Sequence, residues 1–268
     1  MKWKEDAKQA LSQVPFFVRG RVRKRVEEEA SRCRAMEVTL EHVNTCRKRF
    51  LNRMEEEVQG HRLETCFGQS GCPNRAVVSD ELSSALEKLL SGRNLKGFLK
   101  ERVNGPLKMH HEFRMCLADC PNACSRPQIA DVGILGACMP TVSDEPCTLC
   151  GTCVDTCQEN ALSLQEGMPA IDFSRCISCG QCIRACPTGT LKAKQEGYRI
   201  LVGGKLGRHP RLAEELPGIH DEALVLEIVG RCLDTYQGHC VKGERFGEIL
   251  ARLGPKAKEA LTSSKHKG

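Results

Sequence analysis

Eight of the eighteen cysteines in this 268-residue chain stand in two quartets of one form. Cys147, Cys150, Cys153 and Cys157 are spaced C-x2-C-x2-C-x3-C, and Cys176, Cys179, Cys182 and Cys186 repeat the spacing at an offset of 29 residues, the second run alone being followed by a proline, Pro187. The flanks repeat as well, with Gly151 and Gly180 at equivalent places where each loop must turn tightly. Thiolates are soft ligands for iron and zinc, and three of them two residues apart can wrap one short loop around one side of a multi-iron cluster. Zinc also accepts C-x2-C pairs, but it does not account for two quartets with an internal repeat. A second, looser group consists of Cys66 and Cys72, spaced C-x5-C, with Cys120 and Cys124, spaced C-x3-C. The other six, Cys33, Cys46, Cys116, Cys138, Cys232 and Cys240, share no spacing and receive no role.

The two quartets match the known run of bacterial two-cluster ferredoxins, in which the fourth cysteine ligates the other cluster. That resemblance implies two [4Fe-4S] clusters, one on Cys147, Cys150, Cys153 and Cys186, the other on Cys176, Cys179, Cys182 and Cys157. Outside them, the Cys66, Cys72, Cys120 and Cys124 group resembles the siroheme and cluster half of sulfite and nitrite reductases. The segments Ala130-Asp131-Val132-Gly133-Ile134-Leu135-Gly136 and Gly203-Gly204-Lys205-Leu206-Gly207-Arg208-His209-Pro210 share that resemblance. It spans about residues 60–140 and 196–254 and implies a third [4Fe-4S] cluster on those four cysteines, with Cys124 also bridging to siroheme iron.

The anionic macrocycle would draw on nearby cations. Lys108, Arg114, Lys205 and Arg208 are the candidate substrate-binding and charge-stabilising bases, Arg126 is a candidate cofactor contact beside Cys124, and Gly203 and Gly204 would let backbone approach the macrocycle. On the residues alone, a cluster without haem and a zinc site both stay open for this third group. The implied activity is reduction of a small oxyanion, sulfite or nitrite, with electrons received from a donor protein. Full-length reductases carry two related halves and this chain has room for one, which implies a homo-oligomer or a subunit of a reductase complex. The alternative is a non-catalytic electron-transfer or siroheme-handling subunit. A looser resemblance, over Trp3 to Glu27, is to the small helical module ending a subunit of light-independent protochlorophyllide reductase, and implies a docking or packing piece.

These sites must be positioned by an α+β fold. The expected organisation is a helical module over 1–55, a siroheme-reductase-like domain over 56–140 and 193–254, an inserted ferredoxin-like domain carrying two clusters over 141–192, and a polar, disordered tail over 255–268. Val18, Val22, Val26, Ala30 and Cys33 recur at helical spacing after a break at Pro15. Further helices are expected over 80–90, 94–103, 222–236 and 244–253. Strands are expected over 107–115, where apolar and polar residues alternate, and over 129–135 and 198–202. On the first of these His110 and His111 would face opposite sides.

Lys and Arg exceed Asp and Glu by 40 to 34 while aromatic residues make up 4%, so the excess charge reads as a solvated helical face and not a nucleic-acid platform. The first ten residues are charged and lack an apolar signal core, and no apolar run approaches the ~20 residues of a membrane span. The expectation is a cytoplasmic protein without membrane insertion, in a reducing compartment where patterned cysteines are metal ligands.

Overall fold

A computed structural model describes residues 1–262, the side chain of Arg53 excepted. The chain divides into two compact units, one made of residues 1–59 with 104–110 and the other of 60–103 with 111–268.

In the first unit a two-residue strand β1 (Lys2–Trp3) pairs in parallel with β2 (Glu37–Val38), and three helices follow the expected breaks: α1 (Glu5–Ser12), α2 (Phe16–Arg32) and α3 (Leu40–Glu57). Proline fixes φ and lacks an N–H, so Pro15 ends one helix and caps the next. The Arg19 guanidinium donates to the Ser12 and Val14 carbonyls left open at that break. Ala7, Val26, Ala30, Val38 and Val43 form the core, and the buried Glu29 accepts from Arg32 and Arg49. Cys33, the last residue of the helical period, is exposed at the end of α2.

The second unit is built on a five-stranded mixed sheet. Its strands are β3 (His61–Thr65), β4 (Phe113–Ala118), β5 (Val132–Val142), β8 (Leu191–Val202) and β9 (Glu214–Glu215), hydrogen-bonded in that order. The first three are parallel, and β5 with β8 forms a long antiparallel ribbon whose register shifts at Met139/Pro140. Between β5 and β8 lie α6 (Thr152–Thr156), the hairpin β6 (Leu162–Gln165) and β7 (Met168–Ile171), and α7 (Gln181–Ala185). Of the helices in this unit, α4 (Asp80–Ser91) lies against β3 and α8 (Glu222–His239) against β8, while α5 (Leu95–Arg102) and α9 (Phe246–Leu253) pack against α8.

Leu82, Leu86 and Leu90 recur every four residues on one face of α4 and are fully buried, each contributing about 1.5–3 kcal/mol. Phe113 of β4 packs against Tyr236 of α8 and Phe246 of α9 with ring centroids 5.0 and 5.8 Å apart.

Several expectations shift. The strand expected over 107–115 starts only at Phe113, and Met109–His111 is a 3-10 turn, so the opposed-face argument for His110 and His111 does not apply. The true strand is buried on both faces and therefore runs apolar without alternating. The strand expected at 129–135 starts only at Val132, Ile129 ending a 3-10 turn, and it and the strand expected at 198–202 are parts of much longer strands. Residues 255–262, expected in a polar tail, form α10 (Pro255–Thr262), anchored by the buried Leu261; residues 263–268 lie outside the described residues.

The loop from β4 to β5 is pinned by a buried charge. Asp131 is fully buried, accepts from the Arg245 guanidinium and from the Arg114 amide, and its carbonyl accepts from Gly203 N. Replacing Asp131 by Ala removes the buried carboxylate that Arg245 is paired with and is expected to cost about 3–5 kcal/mol. That loss should appear as a lower urea midpoint at unchanged m-value.

Candidate iron–sulfur centres

The two quartets sit in loops that repeat in structure as they do in sequence. Leu149 and Gly151 have positive φ in the first loop, and Ser178 and Gly180 have it in the second. Each loop then enters a five-residue helix, α6 or α7, that begins one residue before the third cysteine and delivers the fourth just past its end. Cys153 and Cys182 are buried in one small core with Leu162 and Leu191, and Cys157 and Cys186 pack against it.

The fourth cysteines cross over between the loops. Cys157, from the first run, lines one largely enclosed cavity with Cys176, Cys179 and Cys182. Burial pushes the Cys182 thiol up to about 12, and the nearby Cys179, Cys176 and Cys157 add to it. Burial likewise raises Cys153, whose sulfur neighbours are Cys186, from the second run, and Cys147. Thiols raised by one another in this way shed their protons when a metal supplies positive charge, so cluster assembly releases protons.

Donors aim at several of these sulfurs. Leu149 N reaches Cys147 Sγ, Thr152 Oγ1 reaches Cys150 Sγ and Ala161 N reaches Cys157 Sγ, each at 3.3 Å. At Cys186 partial burial opposes ionisation. The amide of Leu191, the hydroxyl and amide of Thr188 and the amide of Gly189 outweigh it and bring the thiol down to about 7. A thiol lowered in this way is partly ionised at neutral pH and ready to bind metal.

The third group also comes together. Cys66 opens a 3-10 turn (Phe67–Ser70) after β3, Cys72 follows that turn, and Cys120 and Cys124 lie on the loop after β4. Burial raises the Cys120 thiol, and Cys66, Cys124 and Cys72 are close enough to raise it further. Cys66 Sγ accepts from Gly68 N and Asp119 N, both at 3.3 Å, and Cys124 Sγ accepts from Asn122 Nδ2 at 3.1 Å. Cys66, Cys72 and Cys120 are half-buried whereas Cys124 is exposed. Among the described residues no three Cys, His, Asp or Glu side chains converge tightly enough for a single metal ion. A cubane is several atoms wide and needs its thiolates held apart around a space, which is the arrangement of the Cys157 cavity.

The charged residues fall out less evenly. Arg114 on β4 and Arg126, two residues after Cys124, both reach Glu64 on β3, at 3.1 and 3.9 Å, and Arg62 reaches the same carboxylate at 3.1 Å. Three guanidiniums share one acid beside the third cysteine group. Lys205 is instead committed to Glu248 at 2.5 Å, and Arg208 stands exposed on a loop. Lys108 belongs to the segment grouped with the first unit.

The glycines predicted to make room for a cofactor meet the chain itself. A Cβ on Gly204 would fall 2.6 Å from the Gln128 carbonyl, and Gly203, at φ +82°, lies against Gly247, whose own Cβ would strike the Gly203 carbonyl at 2.1 Å. Internal packing accounts for both.

Sequence reasoning missed the residues that hold the third group in shape. Asp119 is buried, pairs with Arg75 at 2.6 Å, accepts from Ser79 Oγ at 2.5 Å, and its carboxylate occupies the space a side chain on Gly68 would fill. Its position directly before Cys120 was the available signal. Nothing marked Arg75 or Glu64.

Residues 3–47 match the family model described as the proto-chlorophyllide reductase 57 kD subunit, and residues 64–265 match the nitrite and sulphite reductase 4Fe-4S domain. Among curated proteins, a coenzyme F420-dependent sulfite reductase of Methanocaldococcus jannaschii is 32% identical over 70% of this chain, which spans 28% of that protein. A subunit of the anaerobic sulfite reductase of Salmonella typhimurium is 27% identical, the match covering 81% of this chain and 71% of that one. The crystal structure of dissimilatory sulfite reductase I superposes with a TM-score of 0.52 at 18% identity, covering 81% of this chain and 57% of that one, a likeness of fold. Since the family model accounts for about three quarters of the sequence, the chain belongs to the nitrite and sulphite reductase 4Fe-4S domain family.

Proposed function

We propose that this chain is a sulfite-reductase-like oxidoreductase. Two ferredoxin-type clusters, on Cys147, Cys150, Cys153 with Cys186 and on Cys176, Cys179, Cys182 with Cys157, receive electrons from a donor protein. They pass them to a third [4Fe-4S] cluster on Cys66, Cys72, Cys120 and Cys124. The observation that carries the reading is the asymmetry of the third group: three half-sheltered thiols and one, Cys124, open to solvent beside a surplus of guanidinium charge. A thiolate shared with an external macrocycle has to face outward, and siroheme's many carboxylates need cations. Phe67, 79% exposed on the turn next to Cys66, adds apolar surface beside that cysteine.

Siroheme bound there would supply an iron that takes up sulfite or a related oxyanion and a macrocycle that carries electrons to it. The chain's residues do the rest. Cys124 would be the thiolate that holds the siroheme iron. Arg114, Arg126 and Arg62 each carry a permanent charge and share Glu64, so they can take on a carboxylate or a small anion without losing their present partner. Backbone donors to Cys66 hold negative charge at the cluster's sulfur edge.

A second reading, a non-catalytic electron-transfer or siroheme-handling subunit, is favoured by the state of the remaining bases. Lys205 is spent on Glu248 and Arg208 sits on an exposed loop, which leaves the anion site for a second copy or another subunit to complete.

Full-length protein purified without oxygen from a siroheme-making host is expected to carry about twelve irons, with matching acid-labile sulfide, and an extractable tetrapyrrole. Cys124→Ser should lose the tetrapyrrole, and Cys66→Ser should lose about four irons. Arg114→Met is expected to raise KM for sulfite about ten- to a hundredfold, the worth of one charge-assisted hydrogen bond. Protein loaded with clusters and siroheme that turns over neither sulfite nor nitrite, alone or with a reduced donor, would leave the second reading standing.

A further inference from the structure

The three cysteine groups occupy a fixed order along one strand. At the end of β4, Ala118 pairs with Leu135 of β5, and Asp119 continues along the same edge, its backbone lying against Gly136 so closely that a Cβ there would meet the Asp119 carbonyl at 2.4 Å. Beyond that point β4 has ended, and the second cysteine loop takes its place on the edge of β5. Cys138 N donates to Ser178 O at 2.7 Å, and Cys138 and Cys179 form a parallel bridge. The contact is tight, since a Cβ on Gly180 would fall 2.9 Å from that of Cys138. Among the described residues the first loop is tied to the ribbon at its far end, where Ser143 N donates to Thr190 O and Thr190 Oγ1 to Pro146 O, next to Cys147. Gly136 and Cys138 are separated by about 7 Å of strand, whereas Cys138 and Ser143 are separated by about 17 Å.

One cross-link ties the second loop to the third group. Arg184 lies on α7 between Cys182 and Cys186, and its Nη1 donates to the Arg75 carbonyl at 3.0 Å. Arg75 is ion-paired to Asp119, the amides of Ala76 and Val77 donate to the Asp119 carbonyl, and Asp119 N donates to Cys66 Sγ. The path from α7 to the Cys66 sulfur is a continuous series of hydrogen bonds and one ion pair. Among the described residues no comparable series leads from α6.

We infer that the group of Cys157, Cys176, Cys179 and Cys182 is the immediate electron neighbour of the Cys66 group, that the group of Cys147, Cys150, Cys153 and Cys186 is the outer, donor-facing one, and that Arg184 is the positioning residue that sets the inner gap. The inference rests on the proposed cluster reading and adds to it an order and a residue. Arg184 acts through Arg75 and Asp119, and not as a ligand. An outer cluster at the far end of the β5–β8 ribbon meets the donor, and the inner one, seated on β5 by its backbone bridge, hands electrons across a gap that the Arg184 guanidinium spans.

The test reads magnetic interaction between clusters in the fully reduced, full-length protein. Neighbouring paramagnetic clusters broaden each other's EPR signals, so the Cys66-group signal is expected to be broadened in the unaltered protein. That broadening should vanish in Cys176→Ser/Cys179→Ser and persist in Cys147→Ser/Cys150→Ser. Arg184→Met should cut it by half or more at unchanged iron content, and Arg184→Lys, which can still donate to the Arg75 carbonyl, should restore it. If Arg184→Met loses iron, Arg184→Gln carries the same comparison with a shorter donor. Broadening that disappears with the Cys147 pair and survives loss of the Cys176 pair overturns the order. Broadening indifferent to every Arg184 substitution overturns the role of that residue. Iron and acid-labile sulfide measured on each sample separate these outcomes from a failure of the cluster reading, in which the unaltered protein would contain no clusters.

Discussion

The pairing of β5 with β8 is the interaction on which the rest of the second unit depends. It runs for eleven register pairs, from Val132 with Val202 to Val142 with Leu191, and it serves two purposes at once. Its first half is the middle of the sheet, buried on both sides, with β4 on one edge and β9 beyond β8. Its second half leaves the sheet as a two-stranded arm that carries the cysteine quartets. Antiparallel pairs with cross-strand contacts are stiff over this length, so the arm fixes distances that flexible loops could not.

Charge is handled differently on the two sides of β4. Toward the core, Asp131 with Arg245 and Asp119 with Arg75 are acids taken out of water and matched by guanidiniums. Buried pairs of this kind add little net stability but penalise any arrangement that separates them, and both aspartates lie on the loop that presents Cys120 and Cys124. Toward solvent, Glu64 is outnumbered by Arg62, Arg114 and Arg126. One side is balanced and fixes geometry; the other is left electropositive.

Much of this was legible in the sequence because thiolate ligands depend on spacing, and spacing survives in one dimension. The repeat from Cys147 to Cys176 reappears as matched positive-φ residues and matched short helices. The second helix was legible for the same reason, through the period of Val18, Val22, Val26 and Ala30. What failed was alternation. Leu107 to His111 alternates without being a strand, and Phe113 to Ala118 is a strand without alternating, because a strand covered on both faces has no polar side to display. Gly203 and Gly204 let Gly247 and the Gln128 to Ala130 backbone come close; a glycine marks a close approach without naming everything that approaches. Arg75 and Arg184 were invisible for a related reason, since contacts over tens of residues leave no local pattern.

The cysteine-bearing segment enters and leaves the sheet at a single point, where Ser143 N meets Thr190 O at 2.7 Å. Topologically the segment is the loop of a hairpin, however long it has grown, and the entropic cost of closing such a loop rises only logarithmically with its length. The hairpin would close equally well over a short turn. The sheet with its Cys66 group and the arm with its two quartets are thus joined by the chain at one place, and their relative placement is left to contacts across the seam, such as that of Arg184 with the Arg75 carbonyl.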